Sequence, residues 1–250
     1  MITVGALDGL DGRRVVVTGA SSGIGAAVVR AAAAAGARVG LLARRADRLA
    51  TLAEEVGGHA AVADVTDAAA VTRAVDELAG ALGGIDAVVA AAGTMHLGAV
   101  GETDPERWRE VFDVNVHGLL ATARAALPHL GDGASWVTIS SMSGRRVPSA
   151  AGGVYAASKH AAHAVDETLR REAGARGVRV TTVAPGFVAT DLMAGDEPGR
   201  DDVTAFRERM HGLGLTPEQV AAAVVHVLGL PPEVCVVEYA LVATAQQRET

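Results

Sequence analysis

Tyr155 and Lys159 lie four residues apart in the run Tyr155-Ala156-Ala157-Ser158-Lys159. The small residues around them, and the Ala-rich stretch that follows, predict a helix. On a helix, positions i and i+4 share a face. A phenol and an ammonium are then held side by side. A free phenol titrates near ~10 and is a poor acid or base at neutral pH. A neighbouring positive charge favours the phenolate and lowers that value. A tyrosine in this setting can serve as general acid/base for a carbonyl/alcohol couple. Alone, the pair is more simply a surface tyrosine and a solvated lysine. The other end of the chain adds the second half of a site.

There the sequence reads Arg14-Val15-Val16-Val17-Thr18-Gly19-Ala20-Ser21-Ser22-Gly23-Ile24-Gly25. A β-branched run predicts a buried strand, the glycines a tight turn, and residues 26–36 a helix. Free N–H groups and the helix dipole at such an N-terminus favour a pyrophosphate. Gly19 permits the turn, Gly23 lets the backbone approach phosphate, and Gly25 allows close helix–strand packing. Ser21, Ser22 and Ile24 complete the cradle. The second strand ends Leu41-Leu42-Ala43-Arg44-Arg45, with no acid in the turn. An acid there would bond the ribose hydroxyls of NAD. An arginine instead pairs with a 2′-phosphate. NADP(H) is therefore the expected cofactor, with Arg44 as the main contact and Arg45 as the second candidate.

These residues need a scaffold. The chain has 250 residues, half of them hydrophobic and 3% aromatic, so Val, Ala and Leu must build the core. Apolar strand-like runs near 14–18, 38–42, 59–63, 87–91, 135–139, 179–183 and 234–242 alternate with helical stretches. That alternation predicts an α/β fold, a doubly wound seven-stranded parallel sheet with helices on both faces. Without a linker, residues 1–250 are expected to form one domain. Residues 1–12 read as a lead-in outside the ordered core. Residues 191–212, with mixed charges, Gly195, Pro198 and Gly199, suit a mobile substrate lid. In such sheets ligands bind beyond the carboxyl ends of the strands, where every motif above falls.

Composition excludes several classes. A net charge of −7 argues against a nucleic-acid surface. No apolar run reaches the ~20 residues of a membrane helix, and no signal peptide is seen. A cytoplasmic protein is expected. No His/Cys cluster has metal spacing. The single Cys235 excludes an intrachain disulfide, and its apolar run 234–237 predicts a buried thiol. The abundance of Ala, Gly, Arg and Asp suggests a GC-rich bacterial genome.

The motifs together resemble the short-chain dehydrogenase/reductase family in its single-domain Rossmann form. The resemblance runs from about Gly12 to Thr244: Thr18–Gly25 matches the cofactor motif, and Tyr155 and Lys159 match the catalytic one. Asp64-Val65, Asn115, Ser140-Ser141 and Pro185-Gly186 follow in the family's order. The resemblance implies further roles. Ser141 bonds the substrate oxygen, with Ser143 as the alternative because the loop 145–153 carries one extra residue. Asn115 bends its helix and holds a water in a proton relay to Lys159, which also holds the nicotinamide ribose. Asp64 and Val65 contact adenine. Ala91 and Gly93 lie beside the adenosine ribose. Val188 and Thr190, after the Pro185-Gly186 turn, contact the carboxamide, and Asp191 caps the next helix. Family members commonly form homotetramers or dimers.

One departure stands out. Ala90-Ala91-Ala92-Gly93 replaces the family's Asn-Asn-Ala-Gly, so the lost side-chain hydrogen bonds must be replaced or left to water. The implied activity is NADP(H)-dependent interconversion of a carbonyl and an alcohol. The tail 234–246 and the segment 141–145 resemble members acting on small 3-hydroxy acids and related aldehydes or ketones. Arg145, Arg146 or His96 can pair with a substrate carboxylate. A secondary-metabolite carbonyl reductase is the rival, with Met95, Leu97, Met142, Leu192 and Met193 as pocket wall. A reading of another class is an NADP(H)-binding sensor or scaffold without turnover.

Overall fold

The β-branched runs become strands because side chains stiff at χ1 pack well on a pleated surface buried on both faces. The computed structural model describes residues 9–193 and 201–248. Chain order is β1 Arg14–Thr18, α1 Gly23–Ala34, β2 Arg38–Ala43, α2 Ala46–Val56, β3 His59–Val62, α3 Ala68–Leu82, β4 Ala87–Ala90, α4 Pro105–Phe112, α5 Gly118–Ala126, β5 Ser135–Ile139, α6 Gly153–Gly174, β6 Arg179–Pro185, α7 Asp201–Leu213, α8 Pro217–Gly229, β7 Glu238–Leu241 and α9 Thr244–Gln247. The strands form one seven-stranded sheet in the order β3-β2-β1-β4-β5-β6-β7. Every pairing is parallel.

Alternate residues of a strand point to opposite faces, and the two cores divide accordingly. Val15 and Val17 pack with Val28, Val220, Val224 and Leu228 of α1 and α8. Val16 and Val88 pack on the other face with Leu78 of α3, Leu119 of α5 and Leu169 of α6. Helix starts follow local chemistry. The Asp67 carboxylate accepts the Ala69 and Ala70 N–H groups at 3.0 Å each and caps α3. Thr216 and Gln219 form a reciprocal capping box at α8. β1 lies between β2 and β4, and the chain order reverses there. This opens a crevice at the carboxyl ends of β1 and β4, where doubly wound sheets bind ligands.

Several boundaries differ from expectation. β2 runs one residue further than expected, whereas β3 and β4 each stop one short. β6 continues through Pro185, while β7 begins only at Glu238. The run 234–237 does not pair as strand because it follows a turn organised by a buried cation. Arg179 Nη1 donates to the carbonyl oxygens of Leu230, Pro231 and Val234 at 2.9, 3.2 and 3.1 Å. Cys235 is therefore exposed, not buried, at the outer edge of the sheet. Leu10, expected outside the ordered core, is fully buried, and its N–H donates to Ala35 O at 2.8 Å. Residues 1–8 lie outside the described residues. The helix expected to start at Asp191 falls partly on 194–200, outside the described residues; the next described helix, α7, spans Asp201–Leu213. Part of the expected lid, 194–200, also lies outside the described residues.

Candidate active site

α6 starts at the carboxyl edge of the sheet and presents Tyr155, Lys159, Ala162 and Asp166 along one buried face. Tyr155 and Lys159 are 6% and 5% exposed. The Lys159 ammonium sits 5.8 Å from the centre of the Tyr155 ring. Its Nζ donates to the carbonyl oxygen of Ile139, the last residue of β5, at 3.1 Å. Two residues on, the Ser141 hydroxyl hydrogen-bonds the Tyr155 phenol. Ser141 Oγ also accepts the Ser143 N–H at 3.0 Å, which fixes its position. Of the two candidate hydroxyls, Ser141 is the one that meets the phenol.

Burial sets the electrostatics here. It pushes the Tyr155 phenol up to about 12, with the Ser141 hydrogen bond pulling the other way. It also pulls the Lys159 ammonium down to about 8, opposed by the charge of Asp166. The expected lowering of the phenol by the cation is not what the structure shows: burial dominates and raises it.

Asn115 lies in a π-helical turn, Asp113–His117, that joins α4 to α5. Such wide turns bend a helix. Its Nδ2 donates to Thr94 O at 2.9 Å and to Ser158 Oγ at 3.0 Å, while Thr94 N–H donates to its Oδ1 at 2.9 Å. Asn115 thus ties the loop after β4 to α6. It does not line the main cavity. With Ala90, Thr138 and Lys159 it borders a separate space of about 10 Å³. Beside the Ala90-Ala91 pair, the backbone is held by Thr18 Oγ1, which accepts the Ala92 N–H at 3.4 Å, and by Asn115, which holds Thr94.

One cavity of about 680 Å³ runs from the glycine turn to Tyr155. Its wall includes Gly19, Ser21, Ser22, Gly23, Ile24, Gly25, Arg44, Arg45, Asp64, Val65, Ala91, Gly93, Ser141, Lys159, Pro185, Gly186, Val188 and Thr190. The turn is shaped for close approach. A Cβ on Gly19, whose φ is +66°, would lie 2.7 Å from Ala91 O, and one on Gly25 would collide with Gly19 O. Ser22 precedes α1 without a side-chain cap, so the first N–H groups of that helix remain available to an anion. Arg45 reaches over this turn. Its Nε and Nη2 donate to Ser21 Oγ at 3.0 and 2.9 Å, and Nη2 to Ser22 Oγ at 2.6 Å. Burial, then the neighbouring Arg48 and Arg44, hold the Arg45 guanidinium below its ordinary value. An added anion would relieve that crowding. Arg44 instead faces Asp64 at 3.5 Å. The donor set fits a phosphorylated dinucleotide, with Arg45 nearer the glycine turn than sequence alone suggested.

The substrate end is lined by Met95, Leu97, Met142, Leu192 and Arg146. Met193 is not in the wall; it is buried in a cluster with Val203 and Met210. His96 is also off the wall, with Nε2 2.8 Å from Glu110 Oε2 and Nδ1 3.2 Å from Arg107 Nη1. Arg145 is paired with Glu238 at 2.6 Å. Sequence reasoning missed Phe187, Phe206, Arg209 and Gln246, all in the wall. Gln246 arrives through α9, folded back after β7, and its Oε1 accepts the Phe187 N–H at 2.9 Å. No spacing signal marks it.

Known proteins share this pattern. Residues 13–201 match the profile of the short chain dehydrogenase family. A galactitol 2-dehydrogenase (L-tagatose-forming) from Cereibacter sphaeroides is 45% identical over 191 residues, 73% of this chain and 74% of that one. A glycine betaine reductase from Emericella nidulans is 38% identical over 237 residues; the match takes in 92% of this chain but spans only 18% of that protein's length. Among solved structures, a short chain dehydrogenase from Burkholderia cenocepacia in complex with NADP superposes with a TM-score of 0.82 at 32% identity, covering 95% of this chain and 99% of that one.

Proposed function

The chain belongs to the short chain dehydrogenase family, and from that premise we propose that it reduces a small carbonyl compound to an alcohol with NADPH, and runs the reverse with NADP. The observation that carries this reading is the convergence of Ser141, Tyr155 and Lys159 on the cavity that also holds the glycine turn. Arg45 and Arg44 supply the charge for a 2′-phosphate.

A bound nicotinamide supplies the hydride in reduction and accepts it in oxidation. The remaining work falls to side chains. Tyr155 Oη, protonated at neutral pH as an ordinary phenol is and held so more firmly by burial, donates its proton to the developing alkoxide. Ser141 Oγ hydrogen-bonds the same oxygen and holds it in line. Lys159 stabilises the tyrosinate left behind, which offsets the penalty that burial places on a phenolate. Asn115 acts from behind by fixing the backbone at Thr94 and the side chain of Ser158 on α6. The composition adds support: Lys159 is the only lysine in the sequence, every other permanent side-chain cation being arginine. A guanidinium does not lose its proton in proteins, whereas an amine shifts readily when buried. A proton relay needs the amine.

The substrate reading is a small 3-hydroxy acid, or a related aldehyde or ketone. Arg146 supports it: it lines the substrate end, whereas Arg145 is occupied by Glu238. The apolar wall of Met95, Leu97, Met142 and Phe206 favours the second reading, a bulkier secondary-metabolite ketone. Turnover of NADPH, and of NADH as control, against small aldehydes, 3-oxo acids and bulky ketones separates the two. Arg146→Ala should raise KM for an acid and leave a neutral ketone unchanged. Equal effects on both would remove the acid reading. NADPH binding without turnover of any carbonyl would leave a binding protein instead.

A further inference from the structure

We propose that Asp166 is a positioning residue of this site: its buried carboxylate pins α6 to β5 and β6 through Thr138 and Thr182 and sustains the cation on Lys159. The proposal rests on the roles given above to Tyr155 and Lys159.

Asp166 follows Lys159 by two helical turns on the same buried face of α6, a rise of about 10 Å. It is 0% exposed. Thr138 Oγ1, on β5, donates to its Oδ1 at 2.5 Å, and Thr182 Oγ1, on β6, donates to its Oδ2 at 2.6 Å. Trp136 Nε1 donates to Thr138 Oγ1 at 2.9 Å and so fixes the hydroxyl's direction. Each carboxylate oxygen is thus claimed by a different strand. Those strands carry the rest of the site. β5 ends in Ile139, whose carbonyl receives Lys159, and leads to Ser141. β6 ends in Pro185 and leads to Val188 and Thr190. One side chain therefore sets the register of the catalytic helix against both.

A buried carboxylate is costly, and a packed apolar side chain would hold the helix without that cost. What the charge adds is a field along α6. The groups facing Lys159 are otherwise uncharged: Tyr155 on its own helix, Ile139 O and Ser141 from the β5 side, and Asn115 from the turn after α4. His163 on α6 is held below its ordinary value, first by burial, with Lys159 among the causes. Around Asp166, Trp136, Thr138 and Thr182 are uncharged. Arg170 on α6, paired with Glu167 at 2.5 Å, also favours the Asp166 carboxylate. Burial raises Asp166 to about 6, so it is ionised at neutral pH. Its charge opposes the downward pull of burial on Lys159.

Because the sequence has one lysine, labelling with lysine carrying ¹³C at Cε gives a single side-chain resonance. Its pH titration reads Lys159 directly and needs no substrate. In Asp166→Asn, Oδ1 still accepts Thr138 and Nδ2 donates to Thr182 Oγ1, so the bonds stay and the charge goes. The expected result is a midpoint lower than in the parent protein by about half to one pH unit. Thr182→Val leaves the carboxylate one donor short and less ionised, and should lower the midpoint by less. A purely structural pin would lower the melting temperature of both variants and leave the midpoint where it was. That outcome, or a rise, overturns the proposal. Should Asp166→Asn not fold, the Thr182→Val midpoint decides in the same way. Loss of the hydride-transfer reading would appear separately, as Tyr155→Phe turning over like the parent.

Discussion

A phenol and an ammonium buried together are both driven toward their neutral forms. For Tyr155 this means a proton held up to about 12, and for Lys159 a proton lost near 8. The site at rest therefore holds the Tyr155 proton, the protonation state from which reduction starts. In reduction the rate should stay level up to about pH 8 and fall above it as Lys159 loses its charge; a kcat–pH profile with the best carbonyl checks this. Asp166 shows the opposite linkage in stability. Its folded value of about 6 lies above the ordinary carboxyl range, so its contribution is present at low pH and is lost as pH rises to about 6. Denaturation of the parent and of Asp166→Asn at pH 4 and pH 7 should show the variant gaining on the parent at the higher pH, by about 2 kcal/mol. The spacing of Tyr155 and Lys159 was legible because helical periodicity alone makes them neighbours. Asp166 was not, because its partners come from two strands far away in sequence. The direction of the Tyr155 shift escapes the sequence for a related reason: spacing reveals a nearby charge but not the depth of burial.

Elements place these groups, and most were readable. Val15–Val17 give β1 at its expected limits, and the glycine turn gives α1, which starts three residues earlier and ends two residues earlier than expected. β7 was read too long because Cys235 and its apolar neighbours look like strand. Only the fold reveals Arg179 gathering the carbonyls ahead of them. The π-turn at Asn115 has no period of its own to read. The glycine turn carries a prediction at this scale. Gly25→Ala forces β1 and α1 apart, since the new methyl meets Gly19 O, and should abolish NADPH binding measured by fluorescence while lowering the melting temperature. Asp67→Ala, at the start of α3 and outside the cavity, should cost about 1 kcal/mol of stability and leave turnover unchanged. Turnover lost with Asp67 would mean that α3 matters to the site in a way the packing does not show.

For the whole molecule, the sheet reversal between β1 and β4 gathers residues from Gly19 to Gln246 around one cavity. No described helix is long and apolar enough to cross a membrane, and no metal cluster occurs among the described residues. A ligand spanning this crevice should stabilise the entire fold by about 2.7 kcal/mol at a hundred times its Kd. NADPH should therefore raise the melting temperature more than NADH at equal concentration. Arg45→Ala should shrink that difference by removing a charge-assisted contact worth about 1.5–3 kcal/mol. An unchanged difference would move the 2′-phosphate contact to Arg44, the residue that sequence alone favoured. The C-terminal return that delivers Gln246 lay beyond sequence reasoning, since it depends on where β7 stops. The central claim is that Tyr155 is the proton donor of a hydride-transfer site. Its most direct test is single-turnover NADPH oxidation by Tyr155→Phe with the best carbonyl substrate, alongside NADPH binding. The account predicts unchanged NADPH affinity and a rate lower by about 10²–10⁴-fold. A variant that binds NADPH and oxidises it at the parent rate would contradict it.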